Sequence, residues 1–327
     1  MDRIGVAAGA FAMTVVGGSF AVSDALVGAP LAEAQVPRYL LGAALLLLWA
    51  RWRGMPVRRP TRRELLRLCA LAATGLTGFN VCVVLALGHA EPAALGVVVG
   101  AAPLLMVLLS RGRPQRRLVL AAIVVLAGVA LVEGGGATDP VGLLLCAGAL
   151  AGEVAFTLLA VPLLPTLGPV AVSAHSCLIS AAQFTLLAPL LAAATGTPVL
   201  ARPTGGQAAA AAFLAVAVTA VAFVCWYGAV VRLGSAAAGL LIGIMPVAAL
   251  LTGLVLGIGA SPQAAAGAAL VGAGVASGLT GGRQPKRQRD GAARADETTC
   301  QVDPVRRSST VAAVLPPATV PDDVEVC

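Results

Sequence analysis

Apolar stretches bounded by Arg, Gly or Pro recur along the whole chain, at 4–27, 36–50, 68–88, 92–109, 118–132, 140–162, 168–193, 208–231, 235–257 and 262–281. None alternates as a half-buried strand does, and most have the length of a helix that crosses a hydrocarbon core, roughly 17–25 residues. The pattern predicts ten transmembrane helices. Stretches 36–50 and 118–132 are short for that role. The first lengthens if Arg38 and Arg51 extend their head groups to the lipid surface, and the second by taking in Arg117 and Gly134. The apolar N-terminus lacks a small-residue cleavage site and reads as the first span, not as a removable signal peptide.

The segments between spans divide sharply by charge. Placing 1–3, 51–67, 110–117, 163–167, 232–234 and 282–327 on the cytoplasmic side collects all of the 22 Lys and Arg residues except Arg38 and Arg202. Cytoplasmic loops hold the excess of basic residues, so an even number of spans with both termini inside is the expected topology of a multi-pass protein of the cell (cytoplasmic) membrane.

Composition fits that class. Hydrophobic residues make up 58% of the 327 and charged residues only 11%, with a mean hydropathy of +0.92. A soluble fold carries about a quarter charged residues, so most of this surface must face lipid. The 38 glycines suit helices that approach closely through small residues. The net charge of +7 is a topology signal; without a basic folded domain it does not indicate a nucleic-acid partner. Cys69, Cys82, Cys146, Cys177 and Cys225 fall inside spans, and Cys300 and Cys327 in the tail, with neither disulfide nor metal spacing. No metal or other cofactor is expected. Residues 282–327 mix charges, Pro and small polar residues without an apolar period and are expected to form a disordered cytoplasmic tail. Ser308, Ser309 and Thr310 beside Arg306 and Arg307 suit a phosphorylation switch, with a plain solvated tail the simpler reading.

Sliding the chain against itself by 143 positions brings Gly96, Gly100 and Pro103 onto Gly239, Gly243 and Pro246. The same register pairs Val81, Cys82, Ala86, Ala93 and Ala94 with Val224, Cys225, Ala229, Ala236 and Ala237. The chain therefore reads as two five-helix repeats, 1–135 and 136–281. An odd number of spans in each repeat inserts the two in opposite orientations. The arginines agree: loop 51–67 is rich in them and its counterpart 194–207 holds only Arg202. Inverted repeats are a recurring architecture of secondary transporters.

These residues resemble the EamA-type members of the drug/metabolite transporter superfamily, over about 5–281. GGSFAVSDAL at 17–26 is similar to the first-helix Trp-Gly-Ser-x-Phe pattern, with Gly17 where Trp is usual. Arg38 stands where the second helix commonly begins with Arg. TAVAFVCWYGAVVRLGSAAAGLLIGIMPVAALLTGLVLG at 219–256 is similar to the eighth and ninth helices. The chain departs from the pattern at Ile258, where many members place a Glu, and at SRGRP, 110–114, in the first repeat, so no role of that Glu carries over. The resemblance implies an all-α, ten-helix transporter, usually an exporter of amino acids or related metabolites, with a cavity lined by helices 1, 3, 4, 6, 8 and 9.

Ionisable groups at membrane depth are costly and usually functional. Glu153 and His175 stand out. At about 1.5 Å per residue they lie roughly 13 Å and 10 Å from the cytoplasmic ends of neighbouring helices, where they are placed to meet across the hairpin. Such a pair can load and release a proton; the plainer reading is a hydrogen bond that joins helices. Asn80, Ser19, Gln183, Thr219 and the Trp226–Tyr227 pair are softer candidates. Pro103 and Pro246 remove helical hydrogen bonds at matching places in the two repeats and are expected to kink helices that line a cavity. Asp24, Glu33, His89, Glu91, Glu133 and Asp139 sit at the outer ends of spans as solvated groups, with Asp24 also placed to line an outer vestibule.

The expected function is a proton-linked or facilitated carrier working by alternating access, with a small metabolite bound near Asn80, Pro103, Glu153, Tyr227 and Pro246, and proton coupling at Glu153 and His175. No nucleotide-hydrolysis motif is present, so the energy comes from a gradient or downhill flow. The rivals are a membrane-embedded enzyme, which wants a second buried acid, base or metal cluster, and a non-transporting scaffold or sensor. The sequence favours neither rival and leaves the oligomeric state, a homodimer included, open.

Overall fold

The long apolar stretches become helices of eighteen or more residues: α1 (Arg3–Ser23), α2 (Leu31–Trp52), α3 (Arg62–Ala86), α4 (Pro92–Leu109), α5 (Arg116–Glu133), α6 (Pro140–Leu158), α7 (Leu164–Thr195), α8 (Gly205–Leu233), α9 (Ser235–Val255) and α10 (Pro262–Thr280). The computed structural model describes residues 2–23, 26, 29–110, 115–134, 136–199, 202–257 and 259–280. Asp24, Arg111, Arg113, Gly135, Ile258 and the tail 282–327, with Ser308, Ser309 and Thr310, lie outside the described residues. Among the described residues, nine of these helices are long and apolar enough to cross a membrane; α5 stands apart from the nine through Arg116, Arg117 and Glu133 at its ends. The β structure among the described residues is an isolated bridge between Ala90 and Thr138.

The short second stretch needs correction. α2 begins at Leu31 rather than 36 and carries Pro37 inside it. Its 22 residues are long enough to span a bilayer, and Arg38 lies two turns inside the helix, not at its start. Large apolar side chains point outward, Leu186 at 80% and Val255 at 86% exposure, while Trp226, Tyr39, Tyr227 and Phe184 fill the interior. A bundle whose outside is Leu and Val is built for a lipid surround.

Backbone irregularities recur in pairs. Thr61 and Thr204 each cap a helix with a reciprocal capping box, closed by Glu64 and Gln207. Each box satisfies amide groups that a helix start leaves unpaired. After the first ten residues of α3 and the first nine of α8 the winding widens to π-helix, at Ala72–Gly78 and Leu214–Ala222. The following helix is interrupted in both halves. α4 breaks after Val99 and resumes at Ala102, and α9 tightens to a 3-10 turn at Leu240–Gly243 and resumes at Ile244. Pro103 and Pro246 sit in the first turns of the resumed segments, where a missing N–H costs least. The capping threonines, the starts of α3 and α8, the starts of α4 and α9, and the two prolines are all 143 positions apart.

Contacts between connecting segments show how the helices run. Asp2 before α1 pairs with Arg232 at the end of α8, 3.0 Å. Arg58 after α2 and Thr166 early in α7 both meet Glu64 at the start of α3, at 2.9 and 2.8 Å. Arg117 at the start of α5 donates to the Ser277 and Gly278 carbonyls near the end of α10. These contacts gather at one end of the bundle, the arginine-rich end. At the other end His89 after α3 meets Asp139 before α6, 2.9 Å, and the starts of α2 and α8 line one cavity. α5 therefore runs from one end to the other, since Glu133 at its far end packs on Gly96 near the start of α4.

Glycine sets how close these helices come. A Cβ on Gly128 of α5 would fall 2.7 Å from the Val271 nitrogen of α10, and one on Gly267 of α10 would fall 2.6 Å from the Gly128 carbonyl. Backbone touches backbone there, which a larger residue forbids.

Candidate functional site

The polar interior is organised by the face of α2 that carries Gln35, Arg38, Tyr39 and Gly42, positions three or four apart on one side of a helix. A Cβ on Gly42 would fall 2.7 Å from the Thr219 methyl, so α2 lies against the π-helical stretch of α8. That closeness lets Arg38 donate its Nε–H to the Thr219 hydroxyl, 2.9 Å. Arg38 Nη1 donates to Gln35 Oε1 at 3.3 Å, and Gln35 Nε2 to Asn80 Oδ1 at 3.2 Å. Asn80 Nδ2 donates in turn to the Tyr39 hydroxyl and to the Leu76 carbonyl inside the π-helical stretch of α3. The Arg38 guanidinium lies 5.4 Å from the centroid of the Tyr39 ring, which stacks on Phe184.

A second cluster joins α3 to α7. Thr77, in the π-helical stretch of α3, meets Ser180 at 2.9 Å and donates to Gln183 Oε1 at 2.7 Å; Gln183 Nε2 donates to the Cys69 carbonyl. Each π-helical stretch thus presents one buried threonine to another helix. On the same face of α7, the hydroxyls of Ser173 and Ser176 are buried and have no partner among the described residues.

Glu153 and His175 are not brought together as a pair. Glu153 is half-buried on α6 and has no hydrogen-bond or ion-pair partner among the described residues; Tyr227 is within its electrostatic range. Beside it a Cβ on Gly152 would meet the Thr74 carbonyl at 2.7 Å, which ties this part of α6 to α3. His175 donates Nδ1–H to the Ala171 carbonyl one turn back, 2.7 Å. A carbonyl only accepts, so in the neutral ring Nε2 is left as an acceptor.

Tyr227 is fully buried, donates to the Phe156 carbonyl at 3.2 Å and stacks on the Phe156 ring, while Trp226 Nε1–H donates to Thr157 at 3.0 Å. Both residues of this pair fasten α8 to α6. Pro103 is buried and Pro246 half-buried, each three residues past the glycine that marks the break, Gly100 or Gly243. Ser19 turns its hydroxyl back to the Val16 carbonyl.

Two cavities lie at the end opposite the arginine-rich one. A groove of about 530 Å³ runs along Leu87–Pro92 and 137–139, and a cleft of about 420 Å³ is enclosed by Pro30, Glu33, Pro37, Arg202 and Gln207 among others. Neither is lined by Asn80, Pro103, Glu153, Tyr227 or Pro246. Beside the groove Asp139 accepts the Gly142 N–H at 2.7 Å and pairs with His89, and the two interactions hold its carboxyl below the usual carboxylate range. At the other end, the Gly5 N–H and Arg232 do the same for Asp2.

The sequence reading missed Gln35, Arg38, Tyr39 and Ser180 as parts of polar clusters. A legible signal was available for three of them, the i, i+3, i+4 spacing of Gln35, Arg38 and Tyr39. It was hidden by starting the second helix after Gln35.

Residues 3–134 match the EamA-like transporter family. The chain carries an EamA-like domain. That domain ends where α5 ends, so it takes in α1 to α5 with the Gln35–Arg38–Tyr39 face and Asn80. A Bacillus subtilis (strain 168) protein named the uncharacterized transporter YetK is 26% identical over 262 residues, which cover 76% of this chain and 78% of that protein. A solved crystal structure of a protein 23% identical in sequence matches with a TM-score of 0.72, over 86% of this chain and 99% of the other, a likeness of fold. An EamA-like domain together with nine helices, among the described residues, long and apolar enough to cross a membrane supports a multi-pass membrane protein with a transporter role.

Proposed function

We propose that this protein is a secondary transporter that exports an amino acid or related small metabolite across the cytoplasmic membrane by alternating access. Its ten helices act as two inverted five-helix repeats, 1–135 and 136–281, with both termini cytoplasmic. The observation that carries this reading is the paired set of backbone devices at one register. Thr61 and Thr204 cap equivalent helices, yet one lies at the arginine-rich end and the other at the opposite end. Two copies of one folding plan facing opposite ways can exchange conformations, and each exchange opens a central path to the other side.

The helix breaks supply the moving parts. α4 and α9 each consist of two short helical pieces joined at Gly100 or Gly243, and a junction of that kind absorbs dihedral changes that an unbroken helix resists. Substrate contacts are assigned to Asn80, Pro103, Glu153, Tyr227 and Pro246. Glu153, unpaired on α6, is the proton carrier, and His175 acts from the next helix through its free Nε2. Both bear on transport only if they alternate between the two sides with the substrate.

Reconstitution in liposomes tests the reading. Labelled amino acids should cross protein-containing vesicles faster than protein-free ones, and an imposed pH gradient should drive accumulation. Equal rates with and without protein, over the full set of amino acids, would overturn it.

A further inference from the structure

Arg38 is a permanent positive charge about 10 Å along a helix of 22 residues, by 1.5 Å per residue from its start at Leu31. Charges at such depth are expensive and pair with opposite charges where they can. Arg38 has no carboxylate partner among the described residues. Its guanidinium offers five N–H donors. One goes to the Thr219 hydroxyl and one to Gln35 Oε1, both neutral acceptors. The remaining donors on the two outer nitrogens have no protein partner among the described residues, and the side chain is half-exposed, not sealed in.

The surroundings fix this group in place. Gln35 is 7% exposed, Tyr39 1% and Thr219 0%, and the Gln35 amide that accepts from Arg38 is itself held by Asn80. The Tyr39 ring under the guanidinium adds a cation–π contact. A cation that is oriented by its neighbours and, among the described residues, has no counter-charge and no partner for its remaining outer N–H groups is arranged for an anion from outside the protein. The planar guanidinium fork matches a carboxylate, through two parallel N–H···O bonds.

We propose that Arg38 is the anchor for the carboxylate of the transported metabolite, so that the substrate is a carboxylic acid or a zwitterion and not an amine or a neutral solute. The proposal rests on the reading of the protein as a carrier. Arg38 belongs to residues 1–135 and its hydroxyl partner Thr219 to residues 136–281, so the guanidinium bridges the two halves of the chain. A bound carboxylate takes the outer nitrogens while Nε–H stays on Thr219, and the substrate is held at the seam that alternating access opens and closes.

The test uses liposomes containing the full-length protein and a panel of labelled amino acids, the matching amino acid amides, and the decarboxylated amines. Wild-type protein should move one or more of the amino acids and neither of their carboxylate-free relatives. Arg38→Gln should reduce that uptake roughly ten- to a hundredfold, the worth of charge-assisted hydrogen bonds. Arg38→Lys, which keeps the charge but loses the fork, should fall between, and the melting temperature of each detergent-purified variant establishes that it is folded. If Arg38→Gln melts as wild type does and transports amino acids equally well, or if wild type moves amides or amines as readily as acids, the anchor is overturned while the carrier reading stands. If wild type moves no member of the panel, the carrier reading fails and the anchor with it.

Discussion

Arg38 of α2 and Thr219 of α8 are joined by a 2.9 Å hydrogen bond that spans 181 positions of sequence. Thr219 is fully buried, so removing its hydroxyl leaves a charged donor without an acceptor. Thr219→Val, which keeps the shape, should lower stability by about 1–3 kcal/mol. The melting temperature of the detergent-purified protein should fall by a few degrees, while Thr219→Ser should melt close to wild type. Equal melting of Val and wild type would show that the bond contributes nothing.

The two capping threonines should not be equally sensitive. An N-cap substitution to Ala costs about 1 kcal/mol. Thr204→Ala should cost that much. Thr61→Ala should cost more, because Thr61 also holds Glu64, which accepts from both Arg58 and Thr166. Thermal melts of the two single variants, compared with Glu64→Gln, check the ranking.

Topology is open to chemical labelling. In a background without native cysteines, Thr138→Cys should react with an impermeant thiol reagent in intact cells, and Gly54→Cys should react only after the cells are opened. The reverse pattern would invert the sidedness drawn from the arginines, and with it the direction of export.

Glu153→Gln separates titration from shape. A proton-carrying Glu153 predicts a variant that still exchanges substrate across liposomes but no longer accumulates it under a pH gradient. Unchanged accumulation and pH dependence in Glu153→Gln, together with poor expression of Glu153→Leu, would make Glu153 a structural group. His175→Asn belongs beside it. Effects that combine independently would mean that the two residues titrate apart, in keeping with the His175 bond to the Ala171 carbonyl and not to Glu153.

Asp139 gives a pH dependence of known sign. Its carboxyl is held below the usual range by the Gly142 N–H and His89, so its contribution to stability is complete above the unfolded value of about 3.9 and is lost as the pH falls through the lower folded value. Asp139→Asn should therefore melt below wild type at about pH 6, with the gap closing towards about pH 3. A gap that widens on acidification would contradict the assignment.

Much of this architecture was legible in the sequence because lipid imposes a coarse and repetitive pattern. Eight of the ten stretches needed only hydropathy, and the arginine loops set their order. Arg38 was misplaced because the stretch was begun at Val36 with Glu33 left outside as a solvated group, whereas the helix starts at Leu31 and accommodates Pro37 several residues in. The register of Gly96, Gly100 and Pro103 was visible, but the π-helical stretches were not, since AATGLTG and LAVAVTAVA share little beyond small apolar residues. Glu153 could be found by its isolation alone. Its separation from His175 could not, because that depends on which faces α6 and α7 turn towards each other, and one residue of rotation moves a side chain by about 100°.

The contact of Gly128 with Gly267 assigns a mechanical part to α5 and α10. Where backbones meet with no side chain between them there is little slack for sliding, so in the proposed carrier these two helices would serve as a fulcrum shared by both halves of the chain. On the proposed alternating-access reading, opening takes place across the bundle from that line, where the halves are joined by side-chain contacts such as Arg38–Thr219 and Asp2–Arg232. A rocking body with a fixed edge moves most at the points farthest from it, so the proposed cycle would leave α5 and α10 nearly still while α1, α2 and α8 travel.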